Sequence, residues 1–219
     1  MLKHLFFLFL LFIVSCAPER YVKPLAPKQQ AVGVSLGGPL FKFGENTIPM
    51  PFLTANYGYG IDSSLTTFGA VNITSALFGN VQLDLGATRQ VLKQEGYIPA
   101  VSVTPVFTII ARPKAPFKLY PQLDVNAFWE YGKHRNYFYF GFGNWFELSS
   151  KRTLGEKQKN HWLFYPVVGH SFSGKKWDIL LETKILAPNL SNEKLVVEYQ
   201  TPLNNNGAFG VYIGCARKF

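Results

Sequence analysis

Cysteine is scarce in this 219-residue chain, with Cys16 and Cys215 the only two. A disulfide framework is therefore excluded, and stability must come from burial, in a core or in a membrane. Charge is thin as well. Asp, Glu, Lys and Arg make up 16% of the residues, against about 25% in soluble domains. No apolar run is long enough for a membrane-spanning helix. The longest covers residues 5 to 14, about half of the roughly 20 residues such a helix needs. From residue 31 onward there is no helical period, no repeat and no interior linker. The four histidines, His4, His134, His161 and His170, are scattered, and no pair has metal-ligand spacing. No residue set calls for a metal or a cofactor. Lys and Arg outnumber Asp and Glu by 22 to 13, yet there is no basic helix and no nucleic-acid motif. The cations cluster in expected loops, at Lys133, Arg135, Lys151, Arg152, Lys157 and Lys159. Anionic lipid headgroups are the better-matched partner, and nucleic acid is not expected.

What is present begins with the amino terminus. Lys3 and His4 precede the apolar run, and Ser15 closes it. A charged start, a short greasy centre and a small residue are the parts of a secretory signal. Ile13-Val14-Ser15-Cys16 resembles the lipobox of bacterial lipoprotein signals. The resemblance implies a diacylglyceryl group on the Cys16 thiol, cleavage before Cys16, acylation of the new amino terminus and handling by lipoprotein-sorting machinery. Each buried methylene contributes about 0.8 kcal/mol, so one acyl chain holds weakly while two or three hold firmly. Loss of residues 1–15 removes only Lys3 among the charges. With Cys16 lipidated, Cys215 is the single remaining thiol. Residues 17–30, APERYVKPLAPKQQ, carry three prolines and several charges. Residues 16–30 thus read as a lipidated periplasmic tether.

Residues 31–219 read as an all-β domain. Ten strands are expected, at 31–43, 49–61, 65–78, 80–91, 100–112, 118–131, 136–148, 161–172, 176–187 and 207–219, with eight or twelve if one segment merges or splits. The period of two is direct. In the second strand Leu53, Ala55, Tyr57, Tyr59 and Ile61 oppose Thr54, Asn56, Gly58 and Gly60. In the fourth, Val81, Leu83 and Leu85 oppose Gln82, Asp84 and Gly86. In the sixth, Leu119, Leu123, Val125, Ala127 and Trp129 oppose Tyr120, Gln122, Asp124, Asn126 and Glu130.

The polar face decides between a soluble sandwich and a membrane barrel. Water-facing strands usually carry Lys and Glu, whereas here that face is Gly, Thr, Asn, Gln, Ser and an occasional Asp. Such residues suit a crowded barrel interior, giving an antiparallel up-and-down transmembrane β-barrel. Tyr57, Tyr59, Trp129, Tyr131, Tyr137, Tyr139, Trp145 and Tyr165 are expected in aromatic girdles at the membrane interfaces. The last segment, GAFGVYIGCARKF, resembles the closing strand of bacterial outer-membrane barrels, which implies that Phe219 is a membrane-insertion signal for the barrel-insertion machinery. The overall texture of residues 31–219 resembles small outer-membrane barrel proteins of Bacteroidota. An even strand number returns both termini to one side, expected to be periplasmic, with the two longest connections on the other.

Chemistry is sparse. Asp84, Asp124, Glu130, Glu182 and Lys184 are expected to form an interior polar network, because an isolated buried charge is costly. Gly169 to Gly174, with His170, Ser171 and Ser173, resembles the His–Ser pairs of outer-membrane lipid A deacylases, and Glu182 offers a third member. Neighbouring strand residues point to opposite faces, so His170 cannot easily serve Ser171, and no catalytic residue is assigned. The leading expectation is a non-enzymatic outer-membrane barrel lipoprotein, a structural or accessory subunit with protein partners in an envelope complex. The alternatives are a small channel, a lipid-modifying enzyme, and a soluble lipid-anchored β-domain that binds an apolar ligand.

Overall fold

The computed structural model describes residues 20–113, 117–150, 157–193 and 197–219. The signal region, Cys16, Lys151 and Arg152 lie outside the described residues. Eleven strands follow one another: β1 (Gln30–Phe43), β2 (Asn46–Pro49), β3 (Phe52–Gly60), β4 (Leu65–Asn72), β5 (Val81–Leu92), β6 (Ala100–Ala111), β7 (Lys118–Tyr131), β8 (Asn136–Phe146), β9 (Trp162–Ser173), β10 (Trp177–Ser191) and β11 (Asn206–Lys218). One helical turn, α1 (Ile73–Leu77), stands between β4 and β5.

Ten of these strands form a closed, antiparallel, up-and-down β-barrel, as the alternation predicts. Each pairs with its neighbour in sequence, and β1 pairs with β11 from Ala31↔Lys218 to Pro39↔Gly210, so the sheet has no open edge. The additional strand β2 folds back on the end of β1 outside the wall. The strand expected over 65–78 stops at Asn72. The Asn72 side chain accepts from the Ser75 N–H and caps α1, a local alternative to the ladder that Asn often takes.

Polarity is distributed inside out relative to a water-soluble fold. Gln82 is 1% exposed and Asp124 5%, while Leu83 and Leu123 are 38% and 37% exposed. The outward face also carries Val34, Leu36, Phe107, Phe138, Phe140, Phe142, Phe172, Ile179 and Ile213. A continuous apolar wall around a polar interior is what hydrocarbon surroundings require: backbone polar groups pair along the closed ladder, and side-chain polarity is turned inward. The row that a soluble carrier would bury faces outward.

Both termini of the barrel lie at one end, called here the terminal end. Its connections are residues 61–64, 93–99, 132–135 and 174–176. The other end, the loop end, holds the longest connections, 147–161 and 192–205. There β1 and β2 form a ribbon that residues 198–200 join, through an Phe41↔Tyr199 bridge and a Lys42–Glu198 ion pair at 2.6 Å.

The expected girdle divides in two. Tyr57, Tyr59, Trp129 and Tyr131 are on the outward face, but Tyr137, Tyr139, Trp145 and Tyr165 are 9%, 0%, 2% and 3% exposed in the lumen. In β8 the two parities are both aromatic, and the hydroxyl separates them. Phe138, Phe140 and Phe142 meet the outside, while Tyr137 and Tyr139 turn in, where their hydroxyls find polar partners.

Leu123 lies near the middle of β7, so Leu123→Arg is expected to destabilise the barrel by about 2–4 kcal/mol. Urea unfolding in lipid vesicles measures this. A neutral effect would mean that this face does not meet hydrocarbon.

Candidate functional site

The main feature of the lumen is the segment that precedes β1. Residues 20–29, expected as a tether, run inside the barrel as a strap. Arg20 and Val22 are 7% and 3% exposed and Leu25 is 7% exposed. Two properties suit the segment to that place. Pro24 and Pro27 lack N–H groups, which removes two donors that an unpaired strand would otherwise have to satisfy. Val22 and Leu25 supply apolar surface, and Val22 joins a lumenal cluster with Ala100, Phe128, Tyr137 and Leu180.

The strap is pinned to the walls at every level. The Leu25 N–H donates to the Thr66 hydroxyl at 2.7 Å, and the Ser102 hydroxyl donates to the Val22 carbonyl at 2.6 Å. The Tyr21 hydroxyl donates to Asn56 at 2.9 Å. Lys23 pairs with Glu130 at 2.5 Å. At the base of the strap, Lys28 N–H donates to the Gly60 carbonyl at 2.8 Å, and Gly60 N–H donates to the Gln29 carbonyl at 2.9 Å. Glycine is required where the strap passes β3. A Cβ on Gly58 would fall 2.5 Å from the Tyr21 ring, and one on Gly60 would collide with the Ala26 carbonyl.

Arg20 forms the head of the strap. Its guanidinium donates to Asp124 and Gln122, and to the Tyr165 hydroxyl at 3.0 Å; Tyr165 in turn donates to Asp124 at 2.8 Å. The network continues across the wall. Gln122 donates to the Thr108 hydroxyl at 2.6 Å, and Thr108 donates to Asp84 at 2.5 Å. On the opposite side Lys184 pairs with Glu182 at 2.7 Å, Tyr139 donates to Glu182, and the Lys184 ammonium lies 5.2 Å from the centroids of both Tyr165 and Tyr212.

The residues expected in an interior network fall in two places. Asp84, Asp124, Glu182 and Lys184 are buried in the middle of the lumen. Glu130 sits apart at the mouth of the terminal end, held between Lys23 and Arg135, the latter at 2.7 Å. What the strand pattern missed is the cation from outside the wall, Arg20. Its signal was an Arg and a Lys spaced three residues apart, with Val22 between them, in a segment otherwise read by its prolines.

The remaining candidates scatter. His170 faces outward, with its Nε2 2.5 Å from the Tyr131 hydroxyl and its ring tilted against that of Phe172, whereas Ser171 is 2% exposed on the lumenal face. Glu182 is also lumenal. Wall backbone separates the histidine from both, so the His–Ser–Glu set is not assembled. His134 and His161 are at opposite ends. Phe219 ends the chain beside β1, where its N–H donates to the Gln30 carbonyl at 2.9 Å and its ring lies 4.9 Å from the Arg217 guanidinium.

The chain matches no protein-family model and no curated protein. Among the solved structures that it is similar to in architecture are three membrane proteins. The translocator domain of the autotransporter NalP from Neisseria meningitidis shares 8% identity, with a TM-score of 0.48, over 90% of this chain and 91% of that one. An outer membrane channel from Pseudomonas putida F1 shares 12% identity, with a TM-score of 0.47, over 94% and 100%. The NanC porin shares 7%, with a TM-score of 0.45, over 87% and 100%. These are loose likenesses between nearly unrelated sequences.

Removing the guanidinium leaves Asp124 charged and buried without its partner. Arg20→Leu or Asp124→Leu alone is expected to lower unfolding stability by about 3–5 kcal/mol, and the double variant Arg20→Leu/Asp124→Leu to recover much of that loss. Equilibrium unfolding of the four species in detergent reads the cycle. An additive double variant would show that the pair is not coupled.

Proposed function

We infer that this protein is a sealed outer-membrane β-barrel lipoprotein, anchored by its wall and by acyl chains on Cys16, that serves as a non-enzymatic structural or accessory subunit of an envelope assembly. One observation carries the reading: the middle of the lumen is filled by the protein's own strap, with Arg20 bound to Asp124, Gln122 and Tyr165. A ten-stranded barrel has a narrow interior, and here it is occupied by large side chains, among them Phe128, Tyr139 and Lys184, each 3% exposed or less. A barrel closed in this way offers its loop-end ribbon, its outer wall and its rims to protein partners, and its wall to membrane lipids. Localisation with both ends of the barrel wall on the periplasmic side is part of the same proposal. It agrees with short connections at the terminal end and long ones at the loop end.

A second reading, a small channel, is favoured by one feature. The strap is a separate segment held by ion pairs and hydrogen bonds, so its departure would empty the lumen.

Planar-bilayer recording separates the two. The wild-type protein is expected to give no ion current. Gly60→Val, which drives a side chain into the path of Ala26, is expected to loosen the strap and produce current, with heat-modifiable gel migration confirming a folded barrel. Steady, ion-selective current from the wild type would overturn the sealed-barrel reading. Gentle detergent extraction tests the accessory role, where a larger assembly is expected and a lone monomer counts against it.

A further inference from the structure

Below the strap, the terminal end opens into a cavity of about 670 Å³. That volume lies within the range of small-molecule sites, roughly 300–1,000 Å³. Its inner end is Arg20, and one side is the strap itself, through Tyr21, Pro24 and Leu25. The facing walls come from β7 to β11, with Tyr137, Ser171 and Ser173 among their lining groups. Gln29, Gln90 and Gln94 also line it.

The charge of this cavity is unbalanced. Arg20 is compensated by Asp124, outside the cavity. That leaves Lys23, Lys93, Arg135 and Lys218 against Glu130 and Asp178. Both carboxylates are already engaged, Glu130 by Lys23 and Arg135, and Asp178 by Lys218 at 2.8 Å. Among the described residues Lys93 has no ion pair, and His134 adds a further titratable nitrogen at the rim. The Arg20 Nε is buried without a hydrogen-bond partner. A concave site with surplus cations and an aromatic side is built for a ligand with more than one negative charge.

The geometry points to this vestibule as a binding site for a small polyanion, a molecule bearing two or more phosphate groups. The inference rests on the sealed-lumen reading only in that Arg20 closes the inner end. Conductance tests the seal and ligand binding tests the site, so either can fail alone.

The test uses the full-length protein in nanodiscs of zwitterionic lipid, titrated calorimetrically with pyrophosphate and with inositol hexakisphosphate, and with neutral inositol as control. Saturable binding of the phosphorylated probes is expected, weakening as salt is raised. Lys93→Gln/Arg135→Gln is expected to weaken it at least tenfold, while Arg217→Gln, on the outward face, leaves it unchanged. Repetition in nanodiscs containing cardiolipin, a lipid with two phosphates, identifies the source of the phosphate. Competition by the lipid would assign the site to a headgroup, and unchanged binding would assign it to a soluble ligand. No saturable binding, equal binding of neutral inositol, or indifference to the double variant would overturn the proposal.

Discussion

Charge balance in the lumen is the constraint on which the rest of the structure depends. The ten strands contribute three deeply buried carboxylates, Asp84, Asp124 and Glu182, but a single buried cation, Lys184. An interior enclosed by lipid cannot leave such charges unpaired, because desolvation costs several kcal/mol per ion and only close, hydrogen-bonded partners offset it. A second cation comes from Arg20, which is not part of the wall. With the strap in place Asp124 and Glu182 each have a cation and Asp84 is held by the Thr108 hydroxyl, and the strap has its strongest contacts only inside the barrel.

That mutual dependence explains what the sequence made legible. Strand positions and the inward or outward parity of most residues follow from a period of two, and they hold because hydrocarbon outside and a crowded polar lumen inside enforce it at every step. Asp84, Asp124, Glu182 and Lys184 all fall on the inward parity for that reason. The parity argument fails where both faces carry the same residue class. In β8, aromatic residues occupy inward and outward positions alike, so Tyr137 and Tyr139 could be assigned only by asking which rings bring a hydroxyl. Ser171 and His170 illustrate the rule at its strongest, since adjacent positions put them on opposite sides of the wall.

The strap was illegible for a different reason. Its prolines mark a segment that joins no ladder, and the usual place for such a segment is solvent. Inside a lumen, however, the absence of ladder pairing makes proline favourable, since an extended backbone with fewer donors leaves fewer groups to satisfy. Only the complementarity between Arg20 and Asp124, and between Lys23 and Glu130, reveals the location. Those pairs are separated by 104 and 107 residues, beyond the reach of any local pattern.

The same geometry shows why the strap need not be threaded into a finished pore. It leads directly into β1, and β1 closes the barrel against β11, the strand furthest from it in sequence. Loop closure makes such a long-range pairing slow to form relative to hairpins between sequential strands. The strap's hydrogen-bonded partners, among them Asn56, Thr66, Ser102, Gln122 and Tyr165, lie on β3, β4, β6, β7 and β9, all of which join through sequential hairpins. Those contacts are geometrically accessible on the concave face of an open sheet, before the seam forms. A segment laid there is enclosed when Gln30 and Phe219 exchange hydrogen bonds across the seam. Closure and sealing thus require one event, with the lumen filled from the side rather than from either mouth.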